Sequence, residues 1–277
     1  KNFFCFKEWV EISFELGSSI SKELSNGENA SLALCLKGNN SSGKTNGLKI
    51  LSFLSYFCAD SFTSLKPDGL IPLETFFNNK ENAEFFVEFI ENDKEYRYEL
   101  IINSEQVISE RIYQKKKRRA FVFERNFEEI TKNTFYSTSH PIKLRKNASF
   151  ISTARQSEVD EILPIYNFFN NIITNVSHWG LEKWMIETSE KDLSEFYSKN
   201  PEYLEFTVNK LREFDSGIKD IAIMSYEKDM KKEFYPLFKF DVDSQEYTLS
   251  YRGQSSGTKA LFSLLRLYKY TLNLGGI

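Results

Sequence analysis

The sequence has few cysteines and histidines and no long hydrophobic run. It holds 3 Cys and 2 His, without metal-type spacing, which argues against a zinc-binding or disulfide-stabilised domain. We expect Cys5, Cys35 and Cys58 to be buried free thiols. No apolar stretch of about 18 residues and no signal peptide is present, so we expect no membrane span. These absences together predict a cytoplasmic protein.

A strong net charge is also lacking. The chain carries 36 Lys and Arg against 39 Asp and Glu, a formal net charge of −3. This balance argues against a protein that binds nucleic acid with its whole surface, although it leaves local patches open. Hydrophobic residues make up 41% of the 277 residues, which is enough for one large core or two smaller ones.

The sequence does contain a phosphate-binding motif. Residues 38–45 match the pattern G-x-x-x-x-G-K-S/T. The apolar run at 31–36 predicts a buried strand before the motif. Apolar residues spaced three and four apart predict a largely buried helix after it, reaching about Ala59. Strand, glycine loop and helix form the arrangement that surrounds a phosphate chain with backbone N–H groups and a helix N-terminus.

This motif gives the candidate nucleotide site. Lys44 is the candidate catalytic residue because its ammonium group can reach the β- and γ-phosphates of ATP, and Thr45 is the candidate ligand of Mg²⁺. The predicted nucleotide-binding residues are Gly38, Asn39, Asn40, Ser41, Ser42, Gly43, Lys44, Thr45 and Asn46.

The remaining patterns alternate between strands and helices. We expect a strand or hairpin in residues 1–16 and an antiparallel meander built from 85–90, 96–102, 107–113 and 120–124. Helical spacing occurs in 158–176, where Pro164 predicts a kink or a later start, and in 193–214, where Pro201 marks a start. Strand patterns return at 218–226, 234–242 and 246–249.

A basic run lies between the last two strands of the predicted meander. It consists of Lys115, Lys116, Lys117, Arg118 and Arg119. One interpretation is a contact for the phosphates of DNA or RNA. The other is a solvated hairpin tip whose like charges discourage edge pairing.

A second motif opens the last helix. Ser255, Ser256 and Gly257 precede an apolar stripe formed by Leu261, Leu264, Leu265, Tyr268 and Leu272. A Ser-Ser-Gly turn at this place can be an ordinary helix cap. It can also be a second anion site at a helix N-terminus.

This order of motifs resembles ABC-type ATPases of the SMC/Rad50/RecF kind, and more closely the AAA15/AAA21 (OLD-like) branch of prokaryotic defence ATPases. The resemblance is carried by residues 38–45 and by 254–259, with Phe262 and Leu264 behind them. Weaker anchors are 2–7, 147–152 and 215–221. That branch usually has an acidic residue where Gln254 stands. In the family a Walker B segment would follow at about Ile277, so we expect this chain to be part of a longer protein.

The resemblance implies an α/β P-loop NTPase of ABC type, with a mixed sheet, an antiparallel β-meander lobe and a short helical insertion. Its predicted segments are 1–157 (ATPase lobe), 158–217 (insertion) and 218–277 (return to the core, without Walker B). It implies ATP and Mg²⁺ as ligands and a homo-oligomer, in which Ser255, Ser256 and Gly257 of one subunit bind the γ-phosphate held by another.

Two functions follow from the resemblance. The first is a nucleotide-dependent sensor or scaffold that controls an effector nuclease in an anti-phage system of the PARIS, Septu or retron-linked type. The alternative is a RecF/SMC-like repair ATPase that binds DNA. We expect other polar and aromatic candidates to be structural or solvated, namely His140, His178, Trp179, Trp184, Asp241 and Asp243.

Overall fold

The computed structural model describes residues 1–17, 21, 23, 30–31, 33–115, 119–135, 142–178, 180–181, 188–214, 217–228, 230–243 and 245–274. The chain divides into two compact units, unit 1 (Lys1–Gly180) and unit 2 (Leu181–Ile277). The segment boundaries predicted at 157 and 217 stay predictions. None of the described helices is long and apolar enough to cross a membrane.

Unit 1 is built around the helix that follows the phosphate-binding motif. This helix, α1, spans Lys44–Ser64, so the predicted helix is confirmed and is longer than expected. Its buried face includes Phe53, Leu54, Phe57 and Cys58. These side chains repeat at helical spacing and therefore form one apolar stripe that packs into the core of the unit.

The predicted meander is confirmed and has a fifth strand. Its strands are β1 (Ala83–Glu91), β2 (Lys94–Ile102), β3 (Val107–Lys115), β4 (Arg119–Asn126) and β5 (Glu129–Asn133). They form one antiparallel sheet in the order β1-β2-β3-β4-β5. Alternate residues of β2, such as Tyr98 and Leu100, are fully buried. The polar, half-exposed β5 lacks this alternation, so its sequence gave no signal.

Two helices and two short strands follow this sheet. They are α2 (Phe150–Gln156), α3 (Leu163–Asn170) and the short strands β6 (Val176–Ser177) and β7 (Gly180–Leu181). Pro164 lies in the first turn of α3, where its missing N–H costs nothing, so the predicted later helix start is confirmed. Short 3₁₀ turns occur at Phe76–Asn78 and Asp160–Ile162.

Unit 2 packs three helices with a three-stranded sheet. Its elements are α4 (Glu190–Lys199), α5 (Pro201–Phe214), β8 (Ile218–Lys228), β9 (Lys231–Val242), β10 (Gln245–Ser250), a 3₁₀ turn (Tyr251–Gly253) and α6 (Ser256–Leu274). The sheet is antiparallel in the order β10-β9-β8. The core joins Tyr197, Leu211, Phe238 and Phe262, so the predicted helices and strands of this region are confirmed.

The predicted stripe of α6 is only partly correct. Phe262 and Leu265 are buried in unit 2, whereas Tyr268 and Leu272 are 57% and 71% exposed. The hydrophobic core of unit 2 includes no residue of α6 beyond Leu265. The last turns of the helix therefore extend past the core of its own unit, which helical periodicity alone does not reveal.

The strand predicted before the phosphate-binding motif is wrong. Residues 33–37 contain no strand, and Leu34 and Leu36 are 44% and 37% exposed. A strand exists only with a hydrogen-bonded neighbour, and among the described residues the strands of the unit 1 sheet pair only with one another. Because this segment joins no sheet, the predicted mixed sheet is absent from the described residues, whose two larger sheets are antiparallel throughout.

Two other expectations for the N-terminal region also need correction. Residues 1–16 form isolated bridges, Phe3 with Phe6 and Glu15 with Ala30, instead of a hairpin. Cys5 and Cys35 are exposed, although all three thiols are free as expected. Only Cys58 is buried, and this burial raises the pKa of its thiol well above the usual value.

Candidate functional site

The phosphate-binding motif forms a tight loop that leads into α1. Ser41 and Gly43 both have positive φ angles, 64° and 88°, and the Ser42 N–H donates to the Asn39 carbonyl at 3.2 Å. Gly43 is the N-cap of α1 and has left-handed geometry. The loop therefore makes a tight turn, as a phosphate-binding loop must if its backbone N–H groups are to surround a phosphate.

A side chain at either glycine of the motif would force a neighbouring side chain to move. A Cβ at Gly43 would lie 3.0 Å from Cys5 Sγ and 3.1 Å from the ring of Phe6, and one at Gly38 would lie 2.6 Å from Ser42 Oγ. The contact of residues 5 and 6 with the loop had no signal in the sequence, because nothing in the local pattern indicates a partner some 38 positions away.

Lys44 supplies a positive charge directly over the loop. Its Nζ donates to the carbonyl oxygens of Gly38 and Asn39 at 2.8 and 2.7 Å. The N–H groups of Lys44, Thr45 and Asn46 belong to the first helical turn, where no carbonyl of the helix can accept them. With no acidic residue in that turn, the end of α1 is an electropositive group of donors that suits a phosphate.

These residues fit a nucleotide with magnesium. Residues 38–46 present an ammonium group, unpaired helical N–H groups and the exposed hydroxyl of Thr45 on one continuous loop. An ammonium group and N–H donors bind phosphate oxygens, whereas a hydroxyl oxygen can serve as a Mg²⁺ ligand. The structure thus places all nine predicted residues of unit 1 together.

The second candidate site, in unit 2, is the start of α6. Ser255 Oγ accepts the N–H of Thr258 at 3.1 Å and lies 2.9 Å from the hydroxyl of that residue. Ser255 is therefore the N-cap, as the first interpretation of this motif predicts. Ser256 and Gly257 follow in the exposed first turn. Binding of an anion by these two residues stays a prediction.

The turn before α6 is held by its neighbours. Gln254 is 8% exposed, its side-chain amide donates to the Ser250 carbonyl at 3.4 Å, and Lys259 Nζ donates to the Arg252 carbonyl at 3.0 Å. Burial, with a smaller contribution from Glu190, raises the pKa of the Tyr251 hydroxyl. Gln254 thus has a structural role at the position where we expect an acidic residue in most members of the AAA15/AAA21 branch.

A buried ion pair behind α1 escaped prediction. Arg125 Nε lies 2.7 Å from Glu110 Oε2, and both side chains are fully buried. The Glu110 carboxylate also accepts the Tyr98 hydroxyl at 2.9 Å and the N–H of Phe150 at 2.9 Å. Arg125 donates to the carbonyls of Arg145 and Ala148 at 3.1 and 2.6 Å. This pair therefore joins the meander to the start of α2.

The same region holds the far end of α1. Arg145 donates to the carbonyls of Phe62 and Leu65 at 2.7 and 2.6 Å, where a helix leaves carbonyls without partners. Asn147 donates to the carbonyls of Lys66 and Gly69. The segment 147–152, singled out only by resemblance, is thus the polar connection between α1, α2 and the sheet. For the buried ion pair, a signal did exist: Glu110 is an acidic residue on the face of β3 that is buried.

The other predicted residues take minor places. Lys115 ends β3, pairs with Glu95 at 2.6 Å, and is opposite Arg119 at the hairpin; residues 116–118 lie outside the described residues, so nucleic-acid binding there stays a prediction. His178 pairs with Glu74 at 3.2 Å, Asp241 pairs with Lys219 at 3.0 Å, and Asp243 is exposed. His140, Trp179, Trp184, Asp215 and Ser216 lie outside the described residues.

A comparison with protein-family models identifies the family. Residues 34–275 match the family described as "AAA domain, putative AbiEii toxin, Type IV TA system". The chain belongs to this AAA21 family. The match spans most of both units and includes the loop at 38–45 and the turn at 254–259. A search of curated proteins found no match to the chain.

Membership in the family agrees with the geometry of the loop. An AAA domain is a P-loop ATPase domain, and the match therefore supports nucleotide binding and ATPase activity in general. Such domains use ATP with Mg²⁺, for which Lys44, the N–H groups of the loop and Thr45 are the fitting groups.

Proposed function

We propose that this AAA21 protein is an ATP-binding, ATP-hydrolysing subunit of ABC type that assembles with copies of itself. Its nucleotide state controls a partner effector in an anti-phage defence complex. The observation that carries the proposal is the phosphate loop, in which Lys44 lies over the carbonyls of Gly38 and Asn39 beside the open N-terminus of α1.

In unit 1, ATP with Mg²⁺ has a defined set of partners. Lys44 neutralises phosphate charge, the N–H groups of Gly43 to Asn46 bind phosphate oxygens, and Thr45 holds the metal ion. Mg²⁺ supplies charge neutralisation on the phosphates when it is bound. Residues 38–42 shape the loop, since its two glycines allow the close approach of the backbone.

In unit 2, Ser256 and Gly257 bind the γ-phosphate of ATP held by another copy of the chain. Ser255 positions this turn by capping α6, because its hydroxyl accepts the Thr258 N–H. The turn is exposed and lies at a helix N-terminus, where an anion is favoured. A γ-phosphate that joins two subunits makes assembly depend on the nucleotide state.

Light scattering of the protein with and without ATP·Mg²⁺ tests this assembly. We expect ATP to raise the mass. A Ser256→Arg variant should keep its affinity for ATP but lose the rise in mass, because the long arginine side chain blocks the turn. The matched control is Ser198→Arg, which places the same side chain at an exposed position of α4 and should assemble normally. Assembly that ignores both ATP and Ser256→Arg would reduce the turn to a helix cap.

The defence role rests on resemblance and on the family description, which names a toxin of a Type IV TA system. Its test is the survival of cells that carry the native gene cluster when they are infected by phage. Protection should disappear with Lys44→Ala and persist with Lys49→Ala, a lysine of the same helix outside the loop. Equal protection by both variants would reject a nucleotide-controlled defence function.

A further inference from the structure

The strand β8 forms an unpaired edge of the sheet in unit 2. The sheet order is β10-β9-β8, so β8 pairs only with β9 among the described residues. Arg212 donates two hydrogen bonds to the Lys219 carbonyl, which occupies the start of the strand. From Asp220 onward, the outer N–H and C=O groups of β8 can pair with another strand.

Between Ile221 and Tyr226, this edge lacks the features that normally prevent pairing. Residues 221–226 are a run of six uncharged residues, Ile-Ala-Ile-Met-Ser-Tyr. The longest uncharged runs on the edge strands β10 and β1 are four and three residues. Beyond Asp220, β8 has no proline and no shift of register with β9. Charges, prolines and bulges are the usual protection of sheet edges.

One face of β8 carries exposed apolar side chains. Met224 and Tyr226 are 43% and 48% exposed, and Ala222 precedes them on the same face. Tyr226 donates its hydroxyl to Glu233 at 2.7 Å, which orients the ring. The opposite face of the strand is turned to the core of unit 2, where Ile221 is 3% exposed.

The face that carries Met224 and Tyr226 is self-complementary. Its residues in order are Asp220, Ala222, Met224, Tyr226 and Lys228, an acid and a base at the ends of an apolar centre. If a second copy runs antiparallel with Met224 at the centre, Asp220 meets Lys228 at both ends and Ala222 meets Tyr226. Opposite charges and apolar groups directly across a sheet stabilise pairing.

The charges around these ends are mixed. Asp220 is opposite Lys239 of β9, and Lys228 is opposite Lys231 at the turn. Arg212 approaches from α5 through its bonds to Lys219. Lys228 and Lys231 are both exposed. Glu233 of β9 is near enough to Lys228 for the two charges to interact, and Asp220 of the second copy would add an acid directly opposite Lys228.

We propose that β8 pairs antiparallel with β8 of a second copy of the chain, centred on Met224, to form one continuous six-stranded sheet. This contact is distinct from the nucleotide-dependent contact proposed for Ser256 and does not depend on it. The test therefore uses a chain with Lys44→Ala and no ATP, in which failure of the proposed function has no influence.

The first experiment is crosslinking at the centre. In a Cys5→Ser, Cys35→Ser background, which removes both exposed thiols, Met224→Cys should form a covalent dimer under mild oxidation. Facing residues of an antiparallel pair have Cα atoms about 4.5–5.5 Å apart, within the range of a disulfide. The control Met230→Cys is fully exposed at the turn, but its copies would be about 40 Å apart in this register, so it should stay monomeric.

The second experiment reverses charges. We expect a light-scattering mass near twice 32.4 kDa for the parent chain. Asp220→Lys should lower it to the monomer mass, and adding Lys228→Asp should restore the dimer, since each pair then regains opposite charges. A monomeric parent chain overturns the proposal. A dimer unaffected by Asp220→Lys, or equal crosslinking at 224 and 230, overturns it as well.

Discussion

Two lysines of α1 differ in what surrounds their ammonium groups. Lys44 Nζ lies 2.8 and 2.7 Å from two carbonyls of the phosphate loop, whereas Lys49 Nζ lies 3.9 Å from the ring of Phe4. We predict that Lys44→Ala weakens ATP binding at least 100-fold, about 2.7 kcal/mol, because a charge-assisted contact to phosphate is lost. Lys49→Ala should change it less than threefold. Titration with a fluorescent ATP analogue measures both, and equal effects would contradict the assigned site.

Tyr197 gives unit 2 a pH dependence at high pH. Burial raises the pKa of its hydroxyl to about 12, and the hydroxyl donates to the Phe262 carbonyl at 2.6 Å. The pKa of a tyrosine in the unfolded chain is about 10. Because folding favours the protonated hydroxyl, its full contribution to the free energy of unfolding is present below pH 10. This contribution falls by about 1.4 kcal/mol per pH unit between pH 10 and 12.

The Tyr197→Phe variant tests this pH dependence. It should lose about 1 kcal/mol at pH 7 with the hydrogen bond. Between pH 10 and 12 its free energy of unfolding should fall less steeply than that of the parent chain. Urea unfolding at a series of pH values measures both slopes, and parallel slopes would show that Tyr197 does not titrate in this range.

Residue roles were predictable where chemistry fixes the spacing of residue types. Gly38, Gly43 and Lys44 have defined places in a phosphate loop, and a serine before an apolar stripe is a natural cap, as Ser255 proved to be. The contact of Cys5 with Gly43 was not predictable, because it depends on how the chain returns in three dimensions.

At the scale of elements, β3 and β4 carry two ion pairs on opposite faces. Glu110 with Arg125 is fully buried, whereas Arg111 with Glu124 lies at 2.8 Å on the outer face with side chains 36% and 24% exposed. Both pairs are directly opposite in the same register. The two pairs therefore differ in burial and in the further hydrogen bonds that Glu110 and Arg125 make.

We predict that Arg125→Met lowers the free energy of unfolding by about 3–5 kcal/mol, because it leaves the Glu110 carboxylate buried without its partner. The matched variant Arg111→Met should cost less than about 1 kcal/mol, as exposed pairs do. Urea unfolding followed by circular dichroism measures both. Similar midpoints for the two variants would show that the buried pair relaxes into water when it is broken.

Two adjacent serines at the start of α6 have different roles in capping the helix. Ser255→Ala removes the acceptor of the Thr258 N–H and should cost about 1 kcal/mol of stability. Ser256→Ala leaves the cap in place and should change stability by less than about 0.5 kcal/mol. Thermal unfolding measures this difference, and the reverse order would contradict the N-cap assignment.

Helices and strands were predictable where the periodicity of apolar residues within one segment is strong. The helix α1 and the strands β1 to β4 have strong periodicity and formed as predicted. The apolar run at 31–36 satisfied a strand pattern but has no strand beside it. In α6, Tyr268 and Leu272 continue the apolar stripe beyond the core of unit 2. In both cases the missing information is the neighbouring surface, which a local pattern does not contain.

At the scale of the whole molecule, the two halves of the proposed nucleotide site belong to different units of the chain. The phosphate loop lies in unit 1 and the Ser255 turn in unit 2. In the proposed function, binding by the loop requires only one chain, whereas contact of the γ-phosphate with the turn requires a second copy. Nucleotide binding and assembly should therefore protect different backbone amides from exchange with solvent.

Hydrogen exchange with mass spectrometry can distinguish these two effects. We predict that ATP·Mg²⁺ slows exchange of amides 43–46 at all protein concentrations, because the phosphates bind these N–H groups directly. Slowing at amides 256 and 257 should appear only at concentrations where the mass has risen. In Ser256→Arg the first effect should persist and the second should vanish. Protection of both segments in the monomer would mean that one chain closes the site by itself, and the γ-phosphate would then not be what joins two subunits.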